Sequence, residues 1–362
     1  MLYKIALSLI PLVGDITAKK LVSYCGSPEA VFREKKSNLS RIPNIGNVLA
    51  NSIVHQDVLK KAEKEILFIE KNNIKVLFYT DNEYPHRLNH CIDSPILLYY
   101  KGNADLNIKK IISVVGSRNA TSYGKEKCEE IIKGLSNQDI LIISGLAYGI
   151  DACAHKSSLD NGMKTVGILG HGLDKIYPNQ NRELAKRMIE KGGLITEFMS
   201  KTIPNRENFP KRNRIIAGMS DAVIVVEARK KSGAIITADI ANSYNRDVFA
   251  VPGRINDALS YGCNNLIKTN RAALLQSADD IKYIMGWDDN IKNNKSIQNK
   301  LFVELNPQEK IIVELLKGKS DCGIDWIYLN SKLSMSKVSA LLLNLEFKGI
   351  VKTLPGKRYK LL

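Results

Sequence analysis

Five short segments of this chain are apolar nearly from end to end, at residues 111–115, 140–143, 165–169, 222–226 and 247–251, with a shorter one at 194–196. A strand with one wet face alternates apolar and polar residues, whereas a strand covered on both faces does not. Helical stretches such as 124–135 and 181–191 separate these segments. Strands joined by helical crossovers of one hand give a parallel sheet with helices on both sides. The expected fold class is therefore α/β, an extended Rossmann-like, doubly wound, mostly parallel sheet.

In such a sheet, ligands collect beyond the carboxyl ends of the strands. After the first strand comes Gly116-Ser117-Arg118-Asn119, and after the second Ser144-Gly145-Leu146-Ala147-Tyr148-Gly149. After the third comes Gly170-His171-Gly172. Small residues let a backbone approach a ligand closely and aim several N–H groups at one anion. A further segment, Phe209-Pro210-Lys211-Arg212-Asn213-Arg214, reads as a loop leading into a helix at 215–220. Its cations suit phosphates, its amide suits base edges, and its ring suits base stacking. If these cations stand exposed on a rim, replacing Lys211 and Arg212 with Ala leaves thermal stability nearly intact.

Composition agrees with a polyanionic partner. Lys and Arg number 53 against 37 Asp and Glu, a formal charge of +16. No apolar run approaches the length of a bilayer span, so no membrane association is expected. The six cysteines, at 25, 91, 128, 153, 263 and 322, include no C-x-x-C pair. That pattern reads as free thiols in a reducing cytoplasm, with no metal site. His86, His90 and Cys91 crowd together, but their segment reads as a loop.

The chain divides by texture into a helical segment at 1–65, the alternating segment at 66–286, an Asn/Lys-rich linker at 287–305 and a compact module at 306–362. Ile10-Pro11-Leu12-Val13-Gly14 near the start is echoed by Ile42-Pro43-Asn44-Ile45-Gly46, a doubled turn of helix-hairpin-helix or SAM-like character. In the last segment, helices at 307–316, 324–333 and 335–348 precede a strand pair at 350–354 and 358–361, the pattern of a winged helix. Its third helix exposes Ser336, Lys337, Asn344 and Lys348.

Several motifs are absent. There is no G-x-x-x-x-G-K-[ST] loop, and neither Gly116-Ser117-Arg118 nor Gly170-His171-Gly172 completes a dinucleotide turn, so no nucleotide cofactor is expected. Asp151 and His155 stand one helical turn apart without a Ser or Cys to complete a triad, and a contact between the two is expected. A competing class is a nucleotide-handling enzyme such as a phosphoribohydrolase, with its acid among Asp151, Asp174, Glu197 and Glu227. A third is a nucleoid protein with equal affinity for duplex and single strand.

Taken in order, Val115-Gly116-Ser117-Arg118 to Tyr123-Gly124, Ser144-Gly145 to Ile150-Asp151, Gly170 to Asp174 with Tyr177-Pro178 and Asn181, Phe209-Pro210-Lys211-Arg212-Asn213-Arg214-Ile215-Ile216-Ala217-Gly218, Lys231-Ser232-Gly233 and Ala250-Val251-Pro252-Gly253 closely resemble the DNA-processing protein A (DprA/Smf) family. The pattern departs only slightly, with Met219 for the usual Leu and Thr196 for the usual Ser. The resemblance implies a non-catalytic protein that binds incoming single-stranded DNA. It further implies delivery of that DNA to a RecA-type recombinase during natural transformation, and a homodimer. By motif position it points to Ser117, Arg118, Phe209, Lys211, Arg212 and Asn213 for DNA contact, with Ser144, Gly145, Gly170, Arg214, Ser232 and Gly233 completing the expected site.

Overall fold

The structure is a computed structural model, and it describes residues 1–287 and 305–362. The expected linker at 287–305 lies outside the described residues except for its two ends. The chain forms two compact units, Met1–Ala278 and Asp279–Leu362.

The first unit is built on a nine-stranded sheet. Its strands are β1 (Lys75–Phe78), β2 (Leu97–Gly102), β3 (Lys110–Val115), β4 (Ile140–Ser144), β5 (Thr165–Ile168), β6 (Gly192–Thr196), β7 (Ala222–Val225), β8 (Asp247–Ala250) and β9 (Ala273–Leu274). They lie in the order β1-β2-β6-β5-β4-β3-β7-β8-β9. From β6 across to β9 every neighbour is parallel. β1 and β2 extend the sheet antiparallel beyond β6. The sheet grows one way from β3 through β6 and the other way from β7, so the strand order reverses between β3 and β7.

Both faces are covered, as the unbroken apolar runs require. On one face Ile111, Leu141, Val166 and Val223 cluster with Ile215 and Ile216 of the helix Asn208–Met219 and Ala238 and Ala241 of the helix Gly233–Ser243. Residues of the other parity, Ile112, Ile142 and Ile224, are also fully buried, and the helix Ile150–Asp160 lies against β3, β4 and β5.

The expected loop at 209–214 is a correction: these residues form the opening turns of the helix Asn208–Met219. Pro210 is tolerated there because first-turn N–H groups have no intrahelical partner to lose. The loop expected around His86 is likewise a short helix, His86–Asn89.

The N-terminal helices share the first unit with the sheet. Ile5, Leu21, Ile53 and Ile69 pack into one cluster with Phe78, Leu97 and Tyr99 of β1 and β2. The boundary expected near residue 65 falls inside the helix Val58–Lys71. The doubled turn takes the same shape twice: Leu12 and Asn44 are left-handed at φ 65 and 66, and Gly14 and Gly46 cap the helices that follow. The copies hold each other crosswise. Lys20 Nζ donates to the Pro43 carbonyl at 2.9 Å, and Ser52 Oγ donates to the Pro11 carbonyl at 2.7 Å.

In the second unit, helices Pro307–Leu316, Ile324–Ser331 and Met335–Phe347 pack on a sheet of β10 (Cys322–Gly323), β11 (Val351–Leu354) and β12 (Arg358–Leu361). The strand order is β10-β12-β11, all antiparallel, which is a winged helix. Asn306 and Glu309 form a reciprocal capping box at the first of these helices. The third helix also shows Leu343 and Phe347 to solvent, while Lys348 turns back to pair with buried Glu309 at 2.7 Å.

Candidate nucleic-acid interface

A cleft of about 560 Å3 opens over the carboxyl ends of β3 and β7, where the strand order reverses. The loop after β3 supplies Ser117 and Arg118, and the loop after β7 supplies Arg229, Ser232 and Gly233. Phe209, Arg212 and Asn213 enter from the helix Asn208–Met219. A second cleft of about 680 Å3 lies beside it, lined by Tyr148, Lys125 and Lys156, and Arg118 and Asn119 border both.

The centre of the first cleft is an aromatic–cation stack. The Arg118 guanidinium sits 5.2 Å from the centroid of the Phe209 ring. Gly170 makes room for that ring, since a Cβ there would stand 3.1 Å from Phe209 Cδ1. Within the described residues no hydrogen bond or ion pair engages the side chains of Arg118, Lys211, Arg206 or Arg229, and all four residues are exposed. The Ser232 hydroxyl is buried without a partner at the start of the helix Gly233–Ser243, and Asn213 Nδ2 reaches the Gly233 carbonyl at 3.4 Å.

The remaining expected residues take different places. Arg212 is only 4% exposed and runs under the cleft floor, where Nη1 donates to the Ile168 carbonyl at 2.7 Å. Gly145 exists to admit it: a Cβ at that position would stand 1.8 Å from Arg212 Nη1. Burial pushes the Arg212 guanidinium down to about 10, against the pull of Asp151. Burial likewise pushes the Asp151 carboxyl up, against the pull of Arg212. Both shifts oppose charge, as removal from water does. The expectation that Arg212 stands on an exposed rim is therefore corrected. Ser144 is fully buried, and its Oγ donates to the Val114 carbonyl at 2.5 Å. Arg214 turns away from the cleft and is held by Asp15 at 3.0 Å and by Glu197.

Asp151 and His155 do not meet as expected. Asp151 accepts from the Ala147 N–H at 3.3 Å, while His155 Nδ1 pairs with Thr165 Oγ1 at 2.7 Å. Thr165 Oγ1 gives its own proton to the Ile142 carbonyl, so the imidazole donates from Nδ1 and buries a bare Nε2. Burial pushes His155 down to about 3, so it is neutral at any ordinary pH.

Three acids of the competing enzyme reading are engaged by other groups, while the fourth, Asp151, lines the first cleft with its carboxyl pushed up by burial. Glu227 accepts from the N–H and hydroxyl of Thr121 at 3.0 and 2.5 Å, which ties the loop after β3 to the end of β7. Asp174 accepts from the Lys201 N–H at 2.8 Å, and Glu197 holds Arg214. Among the described residues no three His, Cys, Asp or Glu side chains gather as for a metal ion.

Arg206 and Arg229 line the cleft but were not among the residues singled out from sequence. Arg229 follows the strand at 222–226, so the strand-end rule that found the other loops also covers it. Arg206 stands just outside the motif that opens at Phe209 and carries no comparable signal.

Known proteins share this fold and the family pattern. The DNA recombination-mediator protein A family matches residues 75–285, and the DprA winged helix domain matches residues 303–357. Protein Smf of Synechocystis is 32% identical over 99% of this chain and 98% of its own length. The DNA processing protein DprA of Streptococcus pneumoniae is 44% identical over 56% of this chain and 71% of its own. The solved Streptococcus pneumoniae structure superposes with a TM-score of 0.68 at 34% identity, covering 78% of this chain and 97% of that one. The Helicobacter pylori DNA processing protein A, described for its single-stranded DNA binding mode, superposes at 0.53 with 27% identity, covering 57% of this chain and 93% of that one. With both the sheet unit and the winged helix matched, the chain belongs to the DNA-processing protein A (DprA/Smf) family.

Proposed function

We propose that this DNA-processing protein binds single-stranded DNA across the β3/β7 cleft and acts by delivery, without turnover of a substrate. One observation carries the reading: Arg118, Arg206 and Arg229, whose side chains make no hydrogen bond or ion pair among the described residues, line the cleft with the Phe209 ring at the switch point of the sheet. A single strand needs that combination, with cations for the backbone and a ring for a base. A duplex keeps its bases stacked inside and has no use for the ring. The binding described for the Helicobacter pylori relative supports the same ligand. Ser117, Ser232, Asn213 and Gly233 are proposed to complete the contacts, while Ser144, Gly145 and Gly170 shape the cleft from beneath.

Handover to a RecA-type recombinase, action during natural transformation and homodimerisation are proposed from family membership. Among the described residues no helix is long and apolar enough to cross a membrane. A cytoplasmic site of action is proposed with the function.

The test is the affinity for a labelled oligothymidine against a duplex of equal length over a range of salt concentrations. Tighter binding of the single strand, weakened steeply by salt, is expected. Equal affinity for both would favour the nucleoid reading. Saturable binding of a nucleoside monophosphate with release of its base would favour the phosphoribohydrolase.

A further inference from the structure

The N-terminal helical repeat contributes Asp15, which meets Arg214 of the helix that carries Phe209. The copies of its turn differ at the position after the capping glycine, which is Asp15 in the first and Asn47 in the second. Asn47 stays local, with Oδ1 near Ser40 Oγ at 3.4 Å. Asp15 instead crosses to the sheet domain. Its Oδ1 accepts from the Ile96 N–H at 2.9 Å, and its Oδ2 accepts from Arg214 Nη2 at 3.0 Å.

Arg214 is a hub on the helix that carries the ring. Its side chain is 12% exposed, and Nη2 also pairs with Glu197, directly after β6. Its Nε donates to the Lys211 carbonyl at 3.2 Å, in the opening turns that also hold Phe209. The same turns are also held by Arg212, which donates to the Ile168 carbonyl, and by Asn213, which reaches the Gly233 carbonyl. The helix begins without a side-chain cap, so a bond to the Lys211 carbonyl from Arg214 adds to the anchoring of its opening turns. Lys19, one turn after Asp15, fastens the same helix to the loop before β2, with Nζ 2.6 Å from Ser94 Oγ. The first copy of the repeat is thus tied both to Arg214 of the DNA-contacting helix and to the loop before β2.

We infer that Asp15 is a positioning residue of the DNA site, acting through Arg214 to hold the turn that presents Phe209 and Lys211. This rests on the proposed single-strand function. It gives the N-terminal repeat a role in affinity although its own residues do not line the cleft. Arg214, in this account, spends its charge inside the protein and not on a phosphate.

The experiment compares full-length wild type with Asp15→Asn, measuring oligothymidine affinity, its salt dependence and thermal unfolding. Asn keeps the shape and removes the charge. The expected result is binding weakened roughly threefold to thirtyfold, the range for mutations that act through an intermediate residue. The slope of log affinity against log salt stays unchanged, because no phosphate contact is lost. Asp15→Glu, which keeps the charge on a longer arm, recovers part of the affinity and carries the test if the Asn variant does not unfold cooperatively. Unchanged affinity in a cooperatively folded Asp15→Asn protein overturns the inference and leaves Asp15 as a docking contact only. Stronger binding with a slope steeper by about 0.7 also overturns it, because a released Arg214 would then be contacting a phosphate. Failure of wild type itself to prefer single strands sinks the proposed function instead, so the two failures are distinct.

Discussion

Lys211 and Arg212 are adjacent cations in one motif, yet replacing each with Ala has opposite expected consequences. Lys211 is exposed beside the cleft. Its loss removes one phosphate contact and flattens the log affinity against log salt slope by roughly 0.7. Folding stability stays within about 0.5 kcal/mol, as for exposed positions generally. Arg212 is fully enclosed, with Asp151 as its counter-charge and the Ile168 carbonyl as its acceptor. Truncating it strands the Ile168 carbonyl and removes the main cation offsetting the buried Asp151 carboxyl, at a cost of about 3–5 kcal/mol. For a unit of this size that lowers Tm by roughly 6–15 °C. Adding Asp151→Asn to Arg212→Ala restores part of the loss, because the orphaned charge is gone. The assays are thermal unfolding followed by circular dichroism and oligothymidine binding by anisotropy at several salt concentrations. An Arg212→Ala protein with wild-type Tm and a slope flattened like that of Lys211→Ala would refute the buried-pair argument.

Phe209→Ala is expected to weaken single-strand binding by about 1–3 kcal/mol with the salt slope unchanged, since a stacked base releases no condensed ions; a flattened slope in that variant would count against stacking. His155 has its folded pKa pushed down to about 3 by burial, while the unfolded imidazole titrates near the ordinary 6.5. Between those values the unfolded chain binds the extra proton, so this residue's contribution is complete above about pH 6.5 and declines as pH falls toward 3. Wild type should therefore lose more Tm between pH 7 and pH 5 than His155→Gln does, and equal losses would show that His155 is not the group responsible. Truncation after Gly286 should leave a cooperatively folded protein that still binds oligothymidine, because the cleft and its supporting clusters lie within Met1–Ala278; loss of all binding would place an essential contact in the winged helix.

The parallel sheet was legible because continuous apolar runs have few other uses, and the ligand edge followed because strands present ligands at their carboxyl ends. Ser117, Arg118, Ser232 and Gly233 stand at the cleft for that reason. The antiparallel β1 and β2 were not legible, since they are short strands whose place is set by the cluster they share with the N-terminal helices. The direction of each cation belongs to the tertiary structure. Read as a loop, 209–214 gives its charges no phase, and all of them appear to face one ligand. Wound as a helix, Arg212 shares a face with Ile215, Ile216 and Met219 and is carried into the core, while Lys211 turns outward and Arg214 meets Asp15 from far along the chain. Sequence fixes which residues carry charge; whether a charge meets solvent, a buried carboxylate or a ligand depends on packing between segments that only folding brings together.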